Sequence, residues 1–339
     1  MQSTIPYTET CPSPTCECAA TPPDLEIDRK TPLLNTMATY SEQVVFCTGK
    51  EDWVSNIEQE EGSTGEFVKG LKGVVGKGSP AFDVGAFSQL TYFPILRTWK
   101  VFFSNSRVYM CQPFTNVLIT ASSLPKSDQP GTTTALLFPS FKRIPNIPHV
   151  TEALSNFATA YLKATSLHPM HNGLSMEQKA ALLRDESKAN ELPRAEEIIK
   201  PTILICGHGG RDQRCGILGP LLQSSFRHEF QRRGIEADVG LISHIGGHKY
   251  AGNVIIYLPP SMQGNALRGS GIWYGRVGPE NVEGVVEETL TRGRVITELL
   301  RGGVMQGGGN IGRMVEAQLK RESGQENDGG LKLKARARG

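Results

Sequence analysis

No run in this sequence approaches the ~20 consecutive apolar residues that a membrane-spanning helix needs. Neither charge sign dominates: 36 Lys and Arg stand against 34 Asp and Glu, a formal net charge of +2. That balance gives no broad electrostatic claim on nucleic acid. No Cys-x-x-Cys occurs, which argues against ordinary thioredoxin-type disulfide reduction. The start of the chain lacks the basic patch and apolar core of a secretory signal. It is also a poor organelle presequence, because Glu9, Glu17, Asp24, Glu26 and Asp28 all precede the first basic residue, Arg29.

What is present is an ordinary globular composition, 38% hydrophobic and 21% charged over 339 residues, a length that suggests two domains. There are seven cysteines, and an odd count without a signal peptide argues against a disulfide scaffold. Cys11, Cys16 and Cys18 form Cys-x4-Cys-x-Cys in a probable loop, open to zinc binding or disulfide exchange. Cys47 and Cys111 lie in strand-like runs and read as buried small hydrophobes.

Composition shifts divide the chain. Residues 1–40 are rich in Pro, Thr, Ser and Cys, without periodicity. Residues 41–165 form a first ordered region: SEQVVFCTG, WKVFFS, RVYMCQPFTNVLITASS and TTALLFPSF predict strands, HVTEALSNFATAYLKA predicts an amphipathic helix, and Asp52 in DWVSNIEQEE is a candidate helix cap. Residues 166–198 read as a connector with a polar helix stopping before Pro193; His168 and His171 are expected at the solvent. Residues 199–302 read as β-loop-α-β-β-β-α: PTILIC, a glycine loop, ILGPLLQSSFRHEFQRRG, EADVGLISHIGGH, NVIIYLP, GIWYGRV and PENVEGVVEETLTRG. Trp273 and Tyr274 in GIWYGRV read as sheet packing rather than an electron path. Residues 303–339 are a glycine-rich, then basic tail with one plausible helix, IGRMVEAQLKRE. GGVMQGGGNIG invites comparison with a phosphate loop, but it lacks the Lys-Ser/Thr ending and shows no clear preceding strand.

The chemistry concentrates in two loops. CGHGGRDQRC carries Cys206 and Cys215; HIGGHKYAGN carries His244 and His248. Strand ends and helix starts at one sheet edge lie close together, so the loops can converge. Thiolate and imidazole suit zinc or an iron–sulfur cluster. Short-spaced zinc frameworks use Cys-x2–4-Cys, and the longer Cys-x8-Cys loop fits a two-iron unit better. Gly207, Gly209, Gly210, Gly246 and Gly247 would let the backbone approach a bulky inorganic group. The helix after Cys215, with Arg211 and Arg214, favours negative charge there. His208 and Arg211 are candidates for supporting the ligands rather than supplying them, and Arg211 could pair with Asp212.

CGHGGRDQRCG followed by HIGGHKYAGNVIIY and GIWYGRV resembles the sucrase/ferredoxin-like family of thioredoxin-like [2Fe-2S] proteins. The likeness is strongest over 196–302 and weaker in CTGKEDW, VLITASS and TALLFPSF. The resemblance implies an α/β fold of two thioredoxin-like domains, the C-terminal one a thioredoxin-like ferredoxin. It also implies a [2Fe-2S] cluster on Cys206, Cys215, His244 and His248. The implied role is one-electron transfer or redox homeostasis with a redox partner protein, rather than substrate conversion. It implies a mitochondrial location as well, against which the missing presequence leaves the cytosol as the alternative. No carboxylate pair supports glycoside hydrolysis. The rival readings are a zinc-stabilised interaction module and a thiol oxidoreductase using the N-terminal cysteines.

Overall fold

The computed structural model describes residues 4–15, 19–75, 86–87 and 116–324. Cys16, Cys18, Cys111, the WKVFFS run and the basic tail lie outside the described residues.

The structure is a mixed α/β fold built on one large, mostly antiparallel sheet. Glu42–Cys47, Val117–Ser122, Thr202–Cys206, Val254–Leu258 and Ser270–Tyr274 are buried at every position. Such strands are covered on both faces, which is why they read as unbroken apolar runs rather than alternating ones. In the first half the sheet order is Lys142–Pro148, Thr132–Phe138, Glu42–Cys47, Val117–Ser122. In the second half it is Ser270–Tyr274, Val254–Leu258, Thr202–Cys206, Asp238–Ile242, with Leu300–Met305 added outside. Glu42–Cys47 runs parallel to Val117–Ser122 and antiparallel to Thr132–Phe138, and likewise Thr202–Cys206 runs parallel to Asp238–Ile242 and antiparallel to Val254–Leu258.

The two halves meet at one residue pair, Ser122 opposite Ile242. Hydroxyls finish what the short ladder cannot. Ser243 Oγ accepts from Ala121 N at 3.0 Å, and Ser123 Oγ accepts from Leu241 N at 2.9 Å. A second contact joins the halves: Phe138 stacks on Tyr257 at 3.8 Å, and the Tyr257 hydroxyl meets that of Tyr40 at 2.6 Å.

The long helix Gln213–Arg233 starts at the Asp212 cap and ends at Gly234 in the left-handed region (φ 66°). It packs on Thr202–Cys206 and Asp238–Ile242. The expected helix at 149–164 is α-helical only over Thr151–Phe157; Lys163 N then bonds five residues back to Ala158 O, widening the last turn. The expected polar connector helix is broken into Met176–Leu182 and a short turn at Glu186–Glu191. His168 and His171 are half-buried, not exposed.

Two segments differ from expectation. The N-terminal stretch is irregular but not detached. Tyr7–Thr8 pairs with Val295–Ile296, and Arg276 donates to Asp28 O and Thr31 O, strapping residues 5–37 across the second half. The stretch from Gly303, expected as tail, begins inside the strand Leu300–Met305, and the helix Ile311–Glu322 packs back on that strand. Its glycine pattern concealed the strand because Gly302 and Gly303 lie against Met37 and the Gly271 carbonyl, with no room for side chains.

Candidate metal centre

Cys206 is the last residue of Thr202–Cys206, and Cys215 is in the first turn of Gln213–Arg233. Both are buried. The Cys206 thiol is within hydrogen-bonding reach of Cys215 and of His244. That contact holds Cys206 well below the usual thiol range, first through the hydrogen bond from Cys215 and then through His244, against the cost of burial. Cys215 is pushed the other way by the same bond and by burial. One proton shared by two thiols explains both directions.

His244 follows the strand Asp238–Ile242 and is 3% exposed. Its Nδ1 is buried without a hydrogen-bond partner, a costly state for an imidazole nitrogen unless something else occupies it. His248 lies beyond the Gly246–Gly247 turn at the surface, its ring 5.4 Å from that of His244. Burial, opposed by Asp212, holds His248 below the ordinary histidine value. The structure thus brings Cys206, Cys215 and His244 together, with His248 one ring away toward solvent. Among the described residues, no three such side chains are grouped to hold a single metal ion as they stand.

His208 is fully buried and uses both ring nitrogens on the protein. Nε2 lies 3.1 Å from Trp53 O and 2.9 Å from Val54 O, and Nδ1 accepts from His244 N at 3.0 Å. The tautomer follows: Nε2 carries the proton. This is a positioning group that ties the cysteine loop, the histidine loop and the first half together.

Glycines in the cysteine loop and in the helix that follows make close contacts within the chain. A Cβ on Gly219 would stand 2.6 Å from Gly207 Cα, one on Gly216 2.6 Å from Gly209 Cα, and one on Gly210 2.2 Å from Trp53 O. They let helix, loop and the 52–54 segment touch backbone to backbone. Asp52 caps no helix; its carboxylate accepts from Gly210 N at 3.1 and 3.2 Å. Arg211 reaches Ser55 Oγ, and Asp212 pairs with Arg214 at 2.8 Å instead of with Arg211.

Arg301 escaped the sequence reading. It is 1% exposed, and its bonds go to neutral oxygens: Gly246 O at 3.1 Å, Asn253 Oδ1 at 2.7 Å, Thr36 O at 2.9 Å and Thr36 Oγ1 at 3.2 Å. Burial pulls its guanidinium down to about 10, while the charges of Cys206 and Cys215 hold it up. A buried cation needs a counter-charge, and the Cys206 thiolate supplies it. The only signal in the sequence was Gly247, whose Cβ would stand 2.6 Å from the guanidinium.

Among the described residues, the remaining thiols are Cys47 and Cys11. Burial pushes Cys47 up to about 12. Cys11 is likewise pushed up to about 12, mainly by burial, and bonds Asn281 O. Trp273 and Tyr274 are fully buried in the sheet.

A model of the family described as sucrase/ferredoxin-like matches residues 33–302. The chain belongs to the sucrase/ferredoxin-like family. Its similar relatives include the protein named altered inheritance of mitochondria protein 32 from Debaryomyces hansenii, 49% identical over 111 residues, covering 33% of this chain and 38% of that protein. The same-named protein of Clavispora lusitaniae is 49% identical over 32% of this chain and 37% of its own length. That of Meyerozyma guilliermondii is 35% identical over 55% of this chain and 63% of its own. The matches therefore span less than two thirds of each relative. No solved structure matches. Among the described residues, no helix is long and apolar enough to cross a membrane.

The residues of this family member fit an anionic iron–sulfur group in donor type and setting. Two buried sulfurs and the buried His244 imidazole come from adjacent loops, with the His248 ring 5.4 Å beyond; one imidazole nitrogen is orphaned in the interior, and the buried Arg301 guanidinium feels the Cys206 charge.

Proposed function

We propose that this protein is a redox protein that holds a [2Fe-2S] cluster on Cys206, Cys215, His244 and His248. The observation that carries the reading is the contact of Cys206 with both Cys215 and His244, beside the unpartnered Nδ1 of His244. When bound, the cluster would supply one-electron chemistry at a potential above the about −400 mV of all-cysteine plant-type ferredoxins, because neutral imidazoles replace two thiolates. The chain's own residues do the rest. His208 fixes the spacing of the two loops, and Arg301 offsets negative charge from the buried side. His248 stands at the surface end of the donor set and gives a redox partner protein its approach.

The strand order in each half supports two thioredoxin-like domains, 41–165 and 199–302, the second the cluster carrier. The relatives' shared name supports a mitochondrial setting. The function is electron transfer or redox sensing, not substrate conversion.

The test is anaerobic purification with iron, sulfide and zinc analysis, plus visible and EPR spectra. Two irons and two sulfides per chain, with Cys206→Ser and Cys215→Ser losing the colour, are expected. A colourless protein with stoichiometric zinc would replace this reading with the interaction module.

A further inference from the structure

Away from the donor set, a cavity of about 530 Å³ opens where the two halves face each other. Lys142 and Lys163 of the first half and Arg184 of the connector are among the residues that line it. Gly307–Gly309 and Asn310 line it as well. Lys163 is 8% exposed, its ammonium donating to Ala181 O at 2.8 Å. Glu42 stands among these groups, 4% exposed, accepting from Ser140 N and Oγ at 3.1 and 2.6 Å. It is the sole carboxyl among the described residues of the wall. Burial raises it to about 7, so near neutral pH only part of its population is ionised and the protonated part can donate a hydrogen bond.

The glycine turn is placed differently from its sequence reading. It follows the strand Leu300–Met305 directly and leads into the twelve-residue helix Ile311–Glu322. Gly307 and Gly308 have φ of 88° and 93°, and Asn310 Oδ1 takes only the Arg313 N–H of the first turn. The end of that strand, the glycine turn and the helix cap Asn310 therefore line one cavity of ligand size together with Lys142, Lys163 and Arg184.

We propose that this cavity binds a phosphate monoester of mononucleotide size, its phosphate between the Gly307–Gly309 turn and the cations Lys142 and Arg184. Lysine and arginine supply charge-assisted bonds, the glycine turn permits close backbone approach, and the remaining volume takes the esterified group. The motif has no Lys-Ser/Thr for a metal-bound triphosphate, so binding and not hydrolysis is inferred. This site is independent of the cluster reading.

The full chain is titrated at constant ionic strength with inorganic phosphate, adenosine monophosphate and adenosine, by calorimetry and thermal melting. The monophosphate is expected to bind saturably and raise the melting midpoint, phosphate to bind more weakly, and adenosine not to bind. Lys142→Glu is expected to weaken the monophosphate by at least about tenfold while Lys142→Arg retains it. Ser166→Asp, at an exposed lining position that leaves the core untouched, is expected to weaken it as well, with Ser166→Asn as the neutral control. Iron content should stay unchanged in all four. No saturable binding of either phosphate probe, equal binding of adenosine, or indifference to both acidic variants would each overturn the proposal.

Discussion

Two buried side chains, neither of them a proposed ligand, brace the loops of the proposed centre. His208 holds three backbone groups from two halves of the chain. His208→Ala would leave two carbonyls and one N–H short of a partner in the interior, a cost of about 2–4 kcal/mol. The expected outcome is a lower urea midpoint together with reduced iron retention. Unchanged stability would show that the loops are held by other contacts. Arg301→Met removes the buried cation coupled to the Cys206 charge. Reduction of the proposed cluster would add negative charge, so losing that cation would favour the oxidised form and lower the potential. At an effective dielectric near 20 the effect is about 1–2 kcal/mol, on the order of 50–100 mV for one electron. Protein-film voltammetry would read it, and a rise in potential would refute the electrostatic role.

At the scale of elements, close backbone packing matters more than propensity. The helix Gln213–Arg233 meets the cysteine loop through Gly216 and Gly219. Gly219→Ala would raise helix propensity yet drive a methyl into Gly207. The expected net change is a loss of about 1–3 kcal/mol in denaturant unfolding, with the clash outweighing the ~1 kcal/mol propensity gain. The strand Glu42–Cys47 carries the clearest pH dependence. Burial raises the Glu42 carboxyl from 4.5 to about 7, so the folded state binds its proton more tightly than the unfolded one. The associated stability is fully present below about pH 4.5 and is lost as pH rises toward 7, about 3 kcal/mol in all. Glu42→Gln keeps the hydrogen bonds and should abolish that slope in urea titrations across this range. A slope unchanged in Glu42→Gln would assign it to another group.

For the molecule as a whole, the join between halves is narrow in the ladder and broad in side chains. Ser123 and Ser243 each take a backbone N–H from the opposite half, and Tyr257 reaches Tyr40 and Gln43. Ser123→Ala would orphan Leu241 N–H and cost about 1–3 kcal/mol. Urea unfolding of the purified chain should show the midpoint fall, and Ser123→Ala with Ser243→Ala should be less than additive if the two hydroxyls act as one clasp. Full additivity would mean independent contacts. Residues of the first half, the connector and the glycine turn line one cavity, so the proposed phosphate site belongs to neither half alone.

The sequence by itself determined the strands Thr202–Cys206, Asp238–Ile242, Val254–Leu258 and Ser270–Tyr274, because runs of buried β-branched and aromatic residues between glycine turns leave little alternative. It also pointed to the four candidate ligands, because sulfur and imidazole side chains announce their chemistry wherever they lie. Tertiary structure alone decided what surrounds them. Asp52 as loop clamp, His208 as bridge, Arg301 as counter-ion and Thr36 as its acceptor lie far apart along the chain, and each acts through a bond to a group no local pattern can name. Glycine spacing shows that something must come close, and only the packed chain shows what: the Trp53 carbonyl at Gly210, the Gly207 backbone at Gly219 and the Arg301 guanidinium at Gly247.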